Sequence, residues 1–151
     1  MFEITKYTSG QKAAWNQFVL RSKNGTFLFD RNYMDYHSDR FEDNSLMIYR
    51  KGKLYSLLPA NKAGNVLYSH QGLTYGGMIM NDKVTVAESV DMFHQLNACL
   101  KESGFEKVIY KPVPLIYHQH LAQEDLYALF RTTNAKIIGR NISSTIIQAD
   151  K

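Results

Sequence analysis

The strongest candidates for binding or catalysis lie in a glycine-rich run over residues 69–77, Ser-His-Gln-Gly-Leu-Thr-Tyr-Gly-Gly. Glycine lets a backbone approach a ligand closely, and Tyr75 offers a hydroxyl and a flat face for stacking. The same glycines would equally suit a bulge and a turn that redirect a strand. With either interpretation the run is a candidate wall of a substrate cleft, whose candidate residues are Ser69, Gly72, Tyr75, Gly76 and Gly77.

A second candidate segment follows two prolines, where Tyr117 and His118 could line the same cleft or pack against a sheet edge. His118 and His120 are alternate residues, and on a strand they would share one face. Two histidines are too few for a metal site, and no third ligand follows them closely, so no metal is predicted. A single cysteine, Cys99, excludes an internal disulfide and a thiolate zinc site.

Nucleophilic catalysis has no signature in the sequence. No G-x-S-x-G motif exposes a serine, and Ser69 and its neighbour His70 would point to opposite faces of a strand. Cys99 falls on an amphipathic helix and is predicted to be a core residue. Three carboxylates could serve as general bases, but nothing places them in a pocket: Glu88, Asp91 and Glu124. The sequence therefore predicts no catalytic residue and no cofactor-binding residue.

The chain is basic, with 18 Lys and Arg against 14 Asp and Glu and a formal net charge of +4. These cations are scattered, and the densest group, residues 50–53, flanks a predicted hairpin turn. A nucleic-acid-binding protein more often carries a clustered basic stripe with interleaved aromatics, so the charge is interpreted as a solvated surface. Residues 1–7 do not form a signal peptide, and no apolar run is long enough to span a membrane. We therefore expect a cytoplasmic protein.

At 151 residues, with 44% hydrophobic and 21% charged residues, the sequence is typical of one globular domain over 1–151. Alternating and helical patterns predict its elements. Strands are predicted over 2–7, 46–49, 54–58, 66–69, 78–80, 107–110 and 136–147, and helices after Ser9 and over 32–40, 86–103 and 122–133.

Two capping signals and three sets of apolar residues position the predicted helices. Ser9 is predicted to cap the first helix, and Thr85 with Glu88 has the spacing of a capping box. The inward faces are predicted to be Ala14, Trp15, Phe18 and Val19; Val86, Val90, Phe93, Leu96 and Leu100; and Leu126, Leu129 and Phe130. In the short helix over 32–40, Tyr33, Tyr36 and His37 are predicted to share one side.

The order of these elements resembles the GNAT acyltransferase fold, an α/β fold with a mixed twisted sheet and helices on both faces. Three stretches are similar to segments of the Fem-type acyl- and aminoacyltransferases and their bacterial relatives: residues 68–79, 111–118 and 141–146. The Fem resemblance implies two GNAT-like halves in tandem, with substrate in or near the cleft between them. This chain matches the first half.

The resemblance also implies a glycine-containing loop, [QR]-x-x-G-x-[GA], before the long helix, where backbone N–H groups bind the diphosphate of acyl-CoA. Here residues 80–86 contain no glycine, and Asp82 would repel a phosphate unless Lys83 compensated. We therefore expect a scaffold or substrate-side wall without bound cofactor, inactive by itself. It would associate with itself or with a complementary half through Ile142, Ile146 and Ile147 of the last predicted strand, since an unpaired apolar edge invites pairing.

Two alternatives remain open from the sequence. One is a stand-alone N-acetyltransferase that binds acetyl-CoA through an atypical site. The other is a small basic protein that binds nucleic acid or another anion, for which the net charge of +4 is the only support.

Overall fold

The structure, a computed structural model, describes residues 1–142 and 144–147. Within those residues the chain forms eight strands and four α-helices. The strands are β1 Phe2–Lys6, β2 Glu42–Asp43, β3 Leu46–Arg50, β4 Lys53–Leu58, β5 Asn61–Ala63, β6 Val66–Tyr68, β7 Ile79–Met80 and β8 Lys107–Ile109. The α-helices are α1 Lys12–Arg21, α2 Arg31–Met34, α3 Val86–Glu102 and α4 Glu124–Thr132.

The predicted mixed α/β class is confirmed, although hydrogen bonding divides the strands between two sheets. One sheet has the order β1-β3-β4-β7 and is antiparallel, and the other has the order β2-β5-β6-β8. In the second sheet only the β6–β8 pair is parallel, with Tyr68 opposite Ile109 at its end. The crossover between these two parallel strands contains β7 and the long helix α3.

Helices cover both faces of the first sheet because its strands alternate apolar side chains. Met47 of β3 packs with Trp15 of α1, whereas its neighbours Leu46 and Ile48 pack with Phe93 of α3. The same alternation recurs in β4 and β7. Successive strand side chains point to opposite faces, so α1 and α2 bury one face, and α3 and α4 bury the other.

The predicted hairpin turn is confirmed, with Lys51 at φ 50° and Gly52 at φ 72° between β3 and β4. Both residues occupy the left-handed region that a two-residue hairpin turn requires. The residue that caps the first helix is Thr8, one position before the predicted Ser9. The backbone N–H of Thr8 donates to Gln11 Oε1 at 2.9 Å, and Ser9 lies inside the 3-10 turn that opens the helix.

The long helix begins and ends as predicted, but only half of its capping box forms. Thr85 Oγ1 accepts from the Glu88 backbone N–H at 3.4 Å, while the Glu88 carboxylate binds Arg50 and Tyr55. Phe93 is buried as predicted, but Val86 is 46% exposed. Cys99, predicted to lie in the core, is half-buried.

The predicted sides of the two shorter helices are found only in part. In α2 and the 3-10 turn after it, Arg31 and Met34 are buried and the two tyrosines are exposed; the His37 side chain lies outside what the structure describes. In α4, Leu129 packs against the core as predicted, but the buried residues are Asp125 and Ala128, and Phe130 is 75% exposed.

The predicted last strand, 136–147, is not formed in the part that the structure describes. Residues 136–142 and 144–147 have no regular secondary structure, and Ser143 lies outside the described residues. Their β-branched composition favours extended backbone, but a strand also needs a partner to pair with. Five isoleucines of this segment are between 75% and 95% exposed: Ile137, Ile138, Ile142, Ile146 and Ile147.

Candidate functional site

The pairing of the parallel strands β6 and β8 ends ahead of a loop, and the chain beyond that loop forms an open strand edge. Their pairing ends at Tyr68 and Ile109, after which the chain leaves through the 69–77 loop and returns as β7. β7 pairs with β4 on one side only. Its other side, which we call the β7 edge, presents the backbone N–H and C=O groups of Met78 and Met80.

Three of the four polar groups on the β7 edge are bonded to the segment that follows α1. Asn24 Nδ2 donates to the Met78 carbonyl at 2.9 Å, and Asn24 Oδ1 accepts from the Met80 N–H at 3.0 Å. The Lys23 backbone N–H donates to the Met80 carbonyl at 2.8 Å. The Asn24 amide thus makes the hydrogen bonds that a neighbouring strand would make. Asn24 is 1% exposed, so these bonds are buried.

The fourth group is bonded by a tyrosine from the strand on the other side of the gap. The Met78 N–H donates to Tyr110 Oη at 2.6 Å, and the Tyr110 hydroxyl donates to Asp125 Oδ2 at 2.5 Å. Burial raises the pKa of Tyr110 well above 10.0, and the neighbouring Asp125 carboxylate raises it further. Burial likewise raises the pKa of Asp125, against the Tyr110 hydrogen bond, which lowers it.

Lys23 fastens the same segment to three other parts of the fold. Its ammonium donates to the Val84 carbonyl at 2.8 Å and to Glu124 Oε1 at 2.5 Å. The side chains of Lys23 and Glu124 are only 11% and 14% exposed, so this is a largely buried ion pair. The Lys23 carbonyl accepts from the backbone N–H groups of Gln119 and His120. The residues that close the β7 edge are therefore themselves held in place.

The turn between β7 and α3 uses its amide donors internally. The Lys83 N–H donates to Asn81 Oδ1 at 2.8 Å, and the Val84 N–H donates to the Asn81 carbonyl at 3.4 Å. Together with the Thr85 cap, these bonds satisfy the N–H groups of Lys83, Val84 and Glu88.

Two of the predicted cleft residues hold the glycine-rich loop to the start of the proline segment. Ser69 Oγ accepts from the Lys111 N–H at 2.7 Å, and the Gly76 N–H donates to the Lys111 carbonyl at 2.9 Å. An added Cβ at Gly76 would lie 1.6 Å from the Ser69 carbonyl oxygen. The two backbones therefore touch where only glycine fits, which is a packing role.

The other two glycines face aromatic rings. A Cβ at Gly72 would lie 2.5 Å from the Phe41 ring. Gly77 has φ +82°, and its Cβ would lie 2.9 Å from Tyr110 Oη. Gly77 thus gives Tyr110 room to reach the Met78 N–H.

Tyr75 and Tyr117 are brought together, with ring centroids 5.1 Å apart in a stacked arrangement. The Tyr75 hydroxyl donates to Thr26 Oγ1 at 3.2 Å, while Tyr117 is 47% exposed. His118 turns away from them: its Nε2 lies 3.1 Å from the Val113 carbonyl, and its Nδ1 accepts from the Ala122 N–H. In the described ranges no group of three or more His, Cys, Asp or Glu side chains could hold a metal ion.

Sequence reasoning missed the three residues that bond the β7 edge, Lys23, Asn24 and Tyr110. None of the three lies in a motif that predicts a buried polar contact. The burial of Asp125, which holds Tyr110 in place, was not visible in the sequence, because the apolar residues of α4 predict a different inner side. No helix among residues 1–142 and 144–147 is long and apolar enough to cross a membrane.

Comparison with known proteins supports the fold and leaves the family open. No protein-family model matches the sequence, and no match is found among curated proteins. A solved structure of a transcriptional regulator from Bacillus halodurans C-125 is similar with a TM-score of 0.51 and 9% sequence identity, over 97% of this chain and 100% of that one. At that identity the likeness shows a shared fold only.

Two further solved structures with similarity to the chain are acetyltransferases. The ribosomal-protein-S18-alanine N-acetyltransferase from Escherichia coli gives a TM-score of 0.45 at 12% identity, over 70% of this chain. This chain spans 63% of that enzyme's length. An aminoglycoside acetyltransferase from an uncultured soil metagenomic sample gives 0.46 at 13% identity, over 98% of this chain and 97% of that one. Both scores are too low for an argument about activity.

Proposed function

We propose that this chain is a GNAT-like domain of the Fem type that acts in the cytoplasm as a scaffold and substrate-side wall. In this proposal it does not hold acyl-CoA at its own β7 edge and has no acyltransferase activity by itself. The observation that carries the proposal is the bonding of the β7 edge: all four polar groups of Met78 and Met80 are bonded to Lys23, Asn24 or Tyr110.

The physical reason is competition for the same hydrogen bonds. A pantetheine arm contains amides, and an arm between the strands would need unpaired N–H and C=O groups there. Freeing them would expel the buried Asn24 side chain and break the bond from the Met78 N–H to Tyr110 Oη. Leaving a buried polar group unsatisfied costs about 1–3 kcal/mol for each group, so the ligand would have to offset several such losses.

Calorimetric titration of the purified chain tests the absence of a coenzyme site. We expect acetyl-CoA at up to about 1 mM to bind no more tightly than adenosine diphosphate, which shares the diphosphate and base but lacks the pantetheine arm. Equal binding would mean that the arm finds no partner at the β7 edge. Micromolar binding of acetyl-CoA that adenosine diphosphate does not match would overturn the scaffold proposal and favour a stand-alone N-acetyltransferase.

Association is the second part of the proposal, and it is supported by an open sheet edge and an uncovered apolar segment. β8 is the last strand in the order of its sheet, and no other described strand pairs with its outer side. The five exposed isoleucines follow α4 in the same chain. Apolar β-branched residues that extend past an open edge favour strand pairing with a second copy or with a complementary GNAT-like half.

Sedimentation over a concentration series measures the self-association. We expect the average mass to rise with concentration, because pairing two such segments would remove several isoleucines from water. The variant with Ile142→Lys and Ile146→Lys should shift the curve towards the monomer, whereas Lys101→Glu on the exposed side of α3 should not. A strict monomer at about 100 µM would count against self-association.

A further inference from the structure

A concave surface that the proposed function does not use lies at the end of the β3–β4 hairpin. Its walls are α1 from Ala14 to Arg21, the hairpin turn, and the turn between β7 and α3, and they border about 680 Å³. This volume is within the usual range for small-ligand sites, roughly 300–1,000 Å³. We call it the basic cleft because five cations line it: Arg21, Arg50, Lys51, Lys53 and Lys83.

The cations of the basic cleft outnumber its carboxylates by five to two. One carboxylate, Glu88, is fully engaged, since one oxygen pairs with Arg50 and the other accepts from the Tyr55 hydroxyl. Asp82 is then the only acidic group left for the other four cations. In the part of the chain that the structure describes, none of these four forms an ion pair.

The inner wall of the basic cleft is apolar. It consists of Ala14 and Phe18 from α1 and Leu54 from β4, of which the last two are half-buried. The Arg50 guanidinium is 5.6 Å from the Phe2 ring and 5.7 Å from the Tyr55 ring, so aromatic contacts and the Glu88 pair fix its position. An apolar wall beside unpaired cations suits a ligand that has both an anionic and an apolar part.

We infer that the basic cleft binds a small organic phosphate of nucleotide size. The phosphoryl groups would bind the unpaired cations, and the base or another flat apolar group would pack on Phe18 and Leu54. Unpaired Lys and Arg side chains form charge-assisted bonds with phosphate oxygens. The cleft shares no residue with the bonds of the β7 edge, although it includes Asn81, Asp82 and Lys83 of the turn ahead of α3. A nucleotide without a pantetheine arm therefore tests the cleft separately from the β7 edge. A polynucleotide would favour a convex basic stripe, whereas these cations converge on a concavity.

Calorimetry with adenosine diphosphate, inorganic pyrophosphate and adenosine tests the inference. We expect the nucleotide to bind more tightly than either part alone, with an affinity that falls as salt is added. The double variant Lys53→Glu and Lys83→Glu should weaken binding by about tenfold or more, since hydrogen bonds to charged groups are among the stronger ones. Both lysines are exposed, so these changes leave the core intact.

The matched control carries the same change in net charge on another part of the surface. Lys101→Glu with Lys107→Glu lies outside the cleft, and both lysines are exposed. We expect this control to retain nucleotide affinity within about twofold. Equal losses in the two double variants, no binding of either phosphate at about 1 mM, or tighter binding of a single-stranded oligonucleotide than of the nucleotide would each overturn the inference. None of these results depends on whether acetyl-CoA reaches the β7 edge.

Discussion

Replacing Gly76 with alanine is expected to destabilise the domain by about 3 kcal/mol or more, and enough to prevent folding if the domain is only marginally stable. The added Cβ would lie 1.6 Å from the Ser69 carbonyl oxygen and 3.2 Å from the His70 nitrogen. Both neighbours are backbone atoms, so no side-chain rotation can relieve the overlap. Relief requires Gly76 to move away from Ser69, at the other end of the same loop, and the hydrogen bond from the Gly76 N–H to the Lys111 carbonyl opposes that movement.

Urea unfolding monitored by circular dichroism measures this effect. Gly10→Ala is the matched control, because an added Cβ at Gly10 meets no atom within 4 Å. We expect the control to unfold within about 0.5 kcal/mol of the wild type. A Gly76→Ala variant as stable as that control would show that the loop does not pack against Ser69 as described.

The second large effect is expected from Tyr110→Phe, with a loss of about 3 kcal/mol at neutral pH. The change removes one hydroxyl that accepts from the Met78 N–H and donates to Asp125 Oδ2. Asp125 is 4% exposed, and the lost bond leaves its buried carboxylate with less compensation. The Met78 N–H loses its acceptor as well.

The pH dependence of this loss has a definite sign. Burial raises the folded-state pKa of Asp125 above its ordinary value of 3.8, so its contribution to stability is fully present below 3.8 and is lost as pH rises through the folded-state pKa. The Tyr110 hydrogen bond opposes that rise. Without it the pKa of Asp125 rises further, and the cost of Tyr110→Phe should be greater at pH 7 than at pH 4.

Asp125→Asn removes the charge of this side chain and keeps its shape. The amide oxygen can still accept from the Tyr110 hydroxyl, but it cannot ionise, so its stability relative to the wild type should increase from pH 4 to pH 7. In the Asp125→Asn background, Tyr110→Phe should lose its pH dependence over that range. If Tyr110→Phe costs the same at both pH values with Asp125 present, the carboxylate is not the partner that matters.

The likeness to solved structures shows a shared fold and no activity. Fold and function are separable, because activity depends on a few groups placed on a common framework. Here a crossover that contains the long helix joins two parallel strands, while Lys23, Asn24 and Tyr110 bond the polar groups of the β7 edge. The scaffold proposal follows from those bonds.

Local features of the fold were predictable where all the residues that determine them lie in one short segment. The hairpin between β3 and β4 needs only Lys51-Gly52 and the flanking alternation, and α3 needs only its cap, its apolar repeat and Gly104. The absence of glycine from the segment ahead of Thr85 was likewise visible in the sequence. These features depend on neighbouring residues, so the energies that select them are local.

Only the tertiary structure decided which polar residues are buried and what they contact. Asn24 and Met80, or Tyr110 and Asp125, lie in different segments, and no periodicity connects them. The inner side of α4 is Asp125 instead of the more apolar Phe130 because a hydrogen bond to Tyr110 compensates for burying the acid. The composition of residues 136–147 favours an extended backbone, but a strand forms only where a neighbouring strand completes its hydrogen bonds. The sequence of this segment does not contain that neighbour.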